Sequence, residues 1–447
     1  MQRRSFLKTT ALTGAGALAS PYILPSGRLF AKSGNRSANH VILVMFAGGV
    51  RHQESMGMRY LDDAQVGEPY PGNIMYNMLT GTPPEQKIVY GTGEGGINPI
   101  NQILGQTLQS QGAILPEVQA LSAGHYGGLN SILQGAYVDS QGLRQRPQKP
   151  TIFEYLRRHG GYSASDVWFV GNGIGGSIPL LNHSNHPDYG VSYGANFFAP
   201  TVTFHPECAE YLGNGKVYHP DNELAPMYQL KAFLDNTFEQ YGGALQALGN
   251  TEEEKQSIKE FMDLMYEKTS NGTIALPPVA DNGDLYTVGY ACEVLQWFKP
   301  AFMCLNLTGV DTCHSDFTGY VKALHRADHA VGHLWDFIQN QIPDMAGNTT
   351  LIAIPECGRN DEPNSILDVN GWRAYDHSDA NSHRIFSVVA GPNINPNNVI
   401  GSENSAFGMV SDAMLTAAEI LGVDPGILLT SGNLAGGTQS WVGPLQQ

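Results

Sequence analysis

The stretch AFMCLNLTGVDTCHSDFTGYVKALHRADHAVGHLWDFI, residues 301–338, decides the fold. Its first seven residues, 301–307, are an apolar run without alternation, the pattern of a strand buried on both faces. From about 316 to 341 the spacing predicts a long amphipathic helix. The short loop between them holds Asp311 and His314, three residues apart. Strand, loop and helix in that order make one unit of a parallel sheet, and such sheets carry their reactive loops at the carboxyl ends of the strands.

The pattern repeats on either side. HVILVMF (40–46), VWFVG (167–171), TTLIAI (349–354) and IFSVVA (385–390) read as further buried strands. Helices are expected at about 151–159, 224–248, 252–270 and 409–421. The one beginning at 252 is acid-rich at its start, as the helix dipole favours. In LSAGHYGGLNSILQGAY (121–137) an apolar run ends and His125 stands just before a Gly-Gly pair that opens a helix-like stretch. The expectation is one α/β domain over 38–430, with a mostly parallel central sheet and helices on both faces. A loop-rich insertion over 172–223 carries His-Pro-acid tripeptides beginning at His186, His205 and His219, which read as turns because proline presets φ. The aromatic set Trp297, Phe298, Phe302, Trp335 and Phe337 reads as core.

The chain opens with Arg3-Arg4-Ser5-Phe6-Leu7-Lys8 before an Ala/Gly/Leu/Thr run too short and glycine-rich to span a membrane. This resembles a twin-arginine export signal, taken as residues 1–31, and implies a periplasmic or secreted protein. Removing it takes away Arg3, Arg4, Lys8 and Arg28 and no acid, so the formal net charge of −16 becomes more negative. Such a surface repels nucleic acid and anionic membranes, and neither is an expected partner. No later apolar run is long enough for a stable membrane insertion. Five scattered cysteines are too few for a disulfide framework, although one pair could form in an oxidising compartment.

Polar residues gather at four predicted strand ends. Arg51, His52 and Glu54 follow the first strand; Asp311 and His314 follow 301–307; Glu356, Cys357 and Arg359 follow 349–354; Asp376, His377, Asp379 and His383 precede 385–390. Carboxylate and imidazole together are ligands of a divalent metal, zinc first, with manganese, magnesium or calcium as alternatives. One further set, His325, His329 and His333, falls on one helix face at i, i+4 and i+8. It is read as a polar stripe packed beside the loops, with a shared metal as the rival reading.

The three segments 311–338, 349–360 and 376–394 resemble the alkaline phosphatase superfamily, which includes the sulfatases. They are closest to its poorly characterised branch exported by the twin-arginine route. The resemblance implies an alkaline-phosphatase-like fold and hydrolysis of a small anionic substrate, a phosphate or sulfate ester. It implies a metal set of Asp311, His314 and a downstream histidine, His377 or its rival His383, with Asp376 beside them. A second set is incomplete: the first strand ends in Ala47-Gly48-Gly49 without a carboxylate, and Glu356-Cys357 stands where relatives have Asp-His. Relatives place Thr, Ser or a modifiable Cys ten residues before a turn glycine; counting back from Gly135 gives His125. His125 is then nucleophile or additional ligand, Glu356 ligand or general base, and Arg359 a clamp on the anionic group. The alternative is a chain that kept this fold, lost the chemistry and serves as a binding or assembly component with a protein partner in the cell envelope.

Overall fold

Alternate residues of one strand feed two different cores. In β1 (His40–Phe46), Ile42, Val44 and Phe46 face one apolar cluster and Val41, Leu43 and Met45 face the other. All six are fully buried, which is why the run lacks alternation. Each such side chain contributes about 1.5–3 kcal/mol of burial before entropy is charged against it. The computed structural model describes residues 36–60, 72–85, 87–88, 96–137, 146–171, 181–204 and 249–447. The expected export signal, the helix expected at 224–248, the tripeptides at 205 and 219, and much of the insertion expected at 172–223 lie outside the described residues. The remaining tripeptide is a turn, with Asp188 N–H donating to His186 Nδ1 at 3.2 Å.

The other strands are β2 (Ala113–Gln119), β3 (Val167–Gly171), β4 (Asn196–Phe198), β5 (Phe302–Leu307), β6 (Thr349–Pro355), β7 (Arg384–Ala390) and β8 (Asn398–Val399). They form one sheet in the order β4-β3-β5-β1-β6-β7-β2-β8. Pairing is parallel except along β7, which is antiparallel to both β6 and β2. The mostly parallel sheet with helices on both faces is as expected. The reversal of β7 matters for the site, because it brings the residues before β7 to the same rim as the carboxyl ends of β1, β5 and β6.

Helices α1 (His125–Gln134), α2 (Ile152–His159), α3 (Pro200–Phe204), α4 (Glu252–Asn271), α5 (Gly283–Phe298), α6 (Phe317–Gln341) and α7 (Asp412–Ile420) complete the framework. Their starts follow from local chemistry: Thr151 with Glu154 and Thr251 with Glu254 form capping boxes on α2 and α4, and Asp316 accepts from Gly319 N on α6 at 2.8 Å. Trp297 corrects one expectation, being 40% exposed with its indole N–H on Ser257 Oγ rather than part of the core. Among the described residues, Cys292, Cys304, Cys313 and Cys357 are buried free thiols, and no helix is long and apolar enough to cross a membrane.

Candidate metal centre

Three histidines from three elements meet over the rim. His125 begins α1, His314 closes the turn after β5, and His377 lies in the loop before β7. His314 Nε2 is 3.3 Å from His125 Nε2 and 3.1 Å from His377 Nε2. Asp311 Oδ1 lies 2.9 Å from His125 Nε2 and 3.5 Å from His314 Nε2.

The far side of two of these rings is fixed by carboxylates. His125 Nδ1 is 2.6 Å from Glu356 Oε1, and His314 Nδ1 is 2.9 Å from Asp376 Oδ1. A ring that donates Nδ1–H to a carboxylate turns the bare lone pair of Nε2 the other way. Here the Nε2 atoms of the two rings lie 3.3 Å apart, close enough that a proton or a metal ion must lie between them.

Backbone geometry makes the convergence possible. Gly48, just past β1, has φ +120°, and a Cβ there would lie 2.4 Å from Asp311 N. Its N–H donates to Glu356 Oε1 at 2.6 Å, so the carboxylate missing from the end of β1 is supplied from β6 instead. Gly128 lets α1 settle onto the end of β6: a Cβ there would lie 2.7 Å from Glu356 O. The sequence signal for each is a Gly-Gly pair, Gly48-Gly49 after β1 and Gly127-Gly128 after His125-Tyr126.

The electrostatics are divided. Burial works against charge on His125, but hydrogen bonds to Asp311, Cys357 and Glu356 outweigh it and carry its pKa up to about 12. Burial would raise Asp311, yet the His125 hydrogen bond and the cations around it bring it down to about 2. His377 is lowered to about 4 by burial and by His125, Arg359 and His314. This corner therefore demands positive charge at His125, a proton or a metal ion in competition for the same place.

Of the expected site residues, His125, Asp311, His314, Glu356, Asp376 and His377 come together. His383 stands apart, its Nδ1–H donated to Ala120 O at 2.7 Å. Arg359 is fully buried, donating to Gly48 O, to Tyr375 O at 3.3 Å and to Asp311 Oδ1 at 3.0 Å. A guanidinium so placed positions Asp311 and does not clamp a substrate, which corrects that expectation. His125 has both nitrogens engaged, Nδ1 by Glu356 and Nε2 by Asp311 and His314, so ligation and nucleophilic attack alike require Nε2 to give up its proton. Ser122 Oγ is taken by Gly124 N–H at 3.0 Å, and Ser131 Oγ donates to Gly127 O at 2.7 Å.

The donors fit zinc. Zinc–ligand distances of about 2.0–2.1 Å place tetrahedral donors roughly 3.3 Å apart, close to the separations seen here, and imidazole suits zinc better than magnesium or calcium. A second trio, His125, Glu356 and Cys357, also brings one donor apiece within 4.8 Å of the others. It shares His125 with the first, and burial pushes the Cys357 thiol up, away from the thiolate that binds metal. The residues thus fit one ion better than two.

No family model matches the chain, and no curated protein matches it. Among solved structures it is similar to the alkaline phosphatase of the Antarctic bacterium TAB5, with 11% identity, 86% of this chain and 98% of that one covered, and a TM-score of 0.40. It is also similar to the PsFucS1 sulfatase of Pseudoalteromonas sp. (12% identity, 98% and 77% covered, TM-score 0.43). A third is the lipoteichoic acid synthase LtaP of Listeria monocytogenes (11%, 96% and 81%, TM-score 0.39). The first two are of the class that the sequence resemblance names. Likeness at this level says nothing of activity, and the chemistry is carried by the site's own atoms.

Proposed function

We propose that the chain is a metal-dependent hydrolase that cleaves a phosphate or sulfate ester at a single divalent-metal centre, with zinc as the favoured ion. The observation that carries the reading is the meeting of the His125, His314 and His377 Nε2 atoms. Those three imidazoles would hold the ion, with Asp311 beside a coordination position left open on the exposed side. When bound, the ion supplies Lewis-acid stabilisation of charge developing on the ester oxygens. Glu356 orients the His125 ring, Asp376 orients His314, and Arg359 holds Asp311 in place. His314 and Asp311 keep 37% and 32% of their side-chain surface exposed, so substrate approaches from their side. With the Ser122 and Ser131 hydroxyls both held by backbone groups, water is the nucleophile this arrangement favours. The ester class comes from the sequence resemblance.

The test is metal analysis of the purified protein together with assays on an aryl phosphate, a phosphodiester and an aryl sulfate. One zinc per chain and turnover of one ester are expected, both lost in His125→Ala and His314→Ala. Absence of metal, with wild type and variants equally inert, would end the reading. One bound zinc with no turnover would favour the binding or assembly component instead.

Export by the twin-arginine route to the periplasm or beyond belongs to the same proposal and is supported by residues 3–8. Replacing Arg3 and Arg4 by lysine should leave the chain in the cytoplasm on cell fractionation. Unchanged export would remove that part.

A further inference from the structure

A cavity of about 330 Å³, lined by none of the three rim histidines, lies among α3, the end of α4, residues 274–276 and the start of α5. One wall is aromatic: Phe204 and Tyr290 stack with ring centroids 5.1 Å apart and planes 9° from parallel. Tyr286, 38% exposed, also lines it. Pro200, Ile274 and Leu276 add apolar lining, and among the described residues no charged side chain lines it. The polar groups include Thr269 Oγ1 and Tyr290 OH, 2.7 Å apart and hydrogen-bonded to each other. Predominantly apolar lining with a few placed hydroxyls, in a volume of roughly 300 Å³ or more, is what small-molecule sites share. Flat rings in the wall favour a flat ring as guest.

Its position joins it to the metal centre. The helix α3 leaves the carboxyl end of β4, three strands from β1 in the sheet, about 14 Å at the usual strand spacing. At the first turn of α5, buried Asp284 accepts from Thr308 N at 2.8 Å and Gly309 N at 2.9 Å. Those amides begin the turn that carries Asp311 and His314. Two residues on from Asp284, Tyr286 lines the cavity.

We infer that this cavity is a binding site for an uncharged aromatic group of a small molecule, on the same rim as the histidine centre and braced to it through Asp284. It stands independently of the hydrolase reading. The test uses the full chain and the neutral fluorophore N-phenyl-1-naphthylamine. Wild type should give a saturable single-site titration. Leu276→Trp, which fills the cavity, should weaken binding about tenfold or more, as a hydrophobic site does when its volume is wrong. Tyr286→Ala, at a half-exposed position that does not endanger folding, should weaken it several-fold, with melting temperatures checked for both variants.

His314→Ala should bind the probe as wild type does, so failure of the metal reading leaves this result untouched. Displacement by 2-naphthyl phosphate or sulfate at lower concentration than by 2-naphthol assigns the ring to an ester substrate. Equal displacement assigns it to a separate uncharged molecule. A titration that does not saturate, or variants whose titrations superimpose on wild type, would overturn the inference.

Discussion

The molecule holds two sets of three histidines, and they do opposite things. On α6, His325 Nδ1 donates to Ile74 O at 2.7 Å while its Nε2 accepts from Ile100 N at 2.9 Å. His333 Nε2 donates to Ala275 O at 2.9 Å, and His329 Nε2 faces Val279 N–H at 3.5 Å. Each of these rings fastens a passing loop to the helix. On the rim, His125, His314 and His377 turn their Nε2 atoms on one another, and carboxylates occupy the Nδ1 atoms of His125 and His314. Regular spacing along one helix therefore produced staples, whereas residues 63 to 252 positions apart produced a site. What separates the sets is the partner of each nitrogen: backbone groups satisfy the helix histidines, whereas on the rim imidazole nitrogens meet one another.

The sharpest way to break this contrast is to remove one histidine from each set. His314→Ala deletes the nitrogen common to both short contacts. It should weaken zinc binding by more than the about 10–100-fold that loss of an outer carboxylate partner costs. His325→Ala should leave metal stoichiometry unchanged and lower the melting temperature. Calorimetric zinc titration and thermal melts of both proteins read the two effects, and equal zinc affinities would dissolve the distinction.

Next in size is an acid sensitivity that belongs to the staples. Burial holds the pKa of His325 down at about 4 against an ordinary 6.5, the backbone bond to Ile74 only partly opposing it. A depressed value means that the unfolded chain takes up the proton first. Stability from the neutral ring is complete above pH 6.5 and drains away as pH falls towards 4, by about 3 kcal/mol. His325→Gln keeps one donor and one acceptor and cannot titrate. Urea unfolding at pH 7 and pH 4 should show a loss smaller by that amount in the variant; identical losses would refute the neutral staple.

Asp376→Asn probes the rim more gently. The amide cannot accept His314 Nδ1–H as a carboxylate does, and zinc affinity should fall about 10–100-fold with the fold intact. An unchanged affinity would show that His314 is oriented by other means, such as Asn364, whose Nδ2 reaches His314 O at 3.1 Å.

Much of this was legible in the sequence, and the misses share a cause. Five strands were readable because their side chains are buried on both faces. The strand β2, AILPEVQ, was not, since Pro116 and Glu117 interrupt it, and the fold absorbs them in a register shift between Leu115 and Val118. The helix α5 was missed because GDLYTVGYACEVLQWF is apolar on nearly every face and buried over most of its length, so no amphipathic period stands out. Asp311, His314 and Asp376 could be named as residue types in rim loops. Choosing His377 over His383 needed the geometry: six residues apart in one loop, one joins the trio and the other is spent on Ala120 O. The burial of Arg359 had no sequence signal, because an arginine after a strand looks the same whether it meets a substrate or an aspartate.

The smallest expected effect is also the one that ties the staples to the cavity. His333→Ala removes one hydrogen bond to Ala275 O, worth about 1 kcal/mol of stability. Zinc binding should be untouched, since no rim residue depends on it. Ala275, however, sits between Ile274 and Leu276, and both line the aromatic cavity. A segment released at its middle residue holds its neighbours less firmly, so the naphthylamine probe should bind a few-fold more weakly, with zinc affinity unchanged. Parallel titrations of one preparation with zinc and with probe separate the two readouts. If zinc weakened and the probe did not, the staple would belong to the metal centre after all, and the division between the two histidine sets would be drawn in the wrong place.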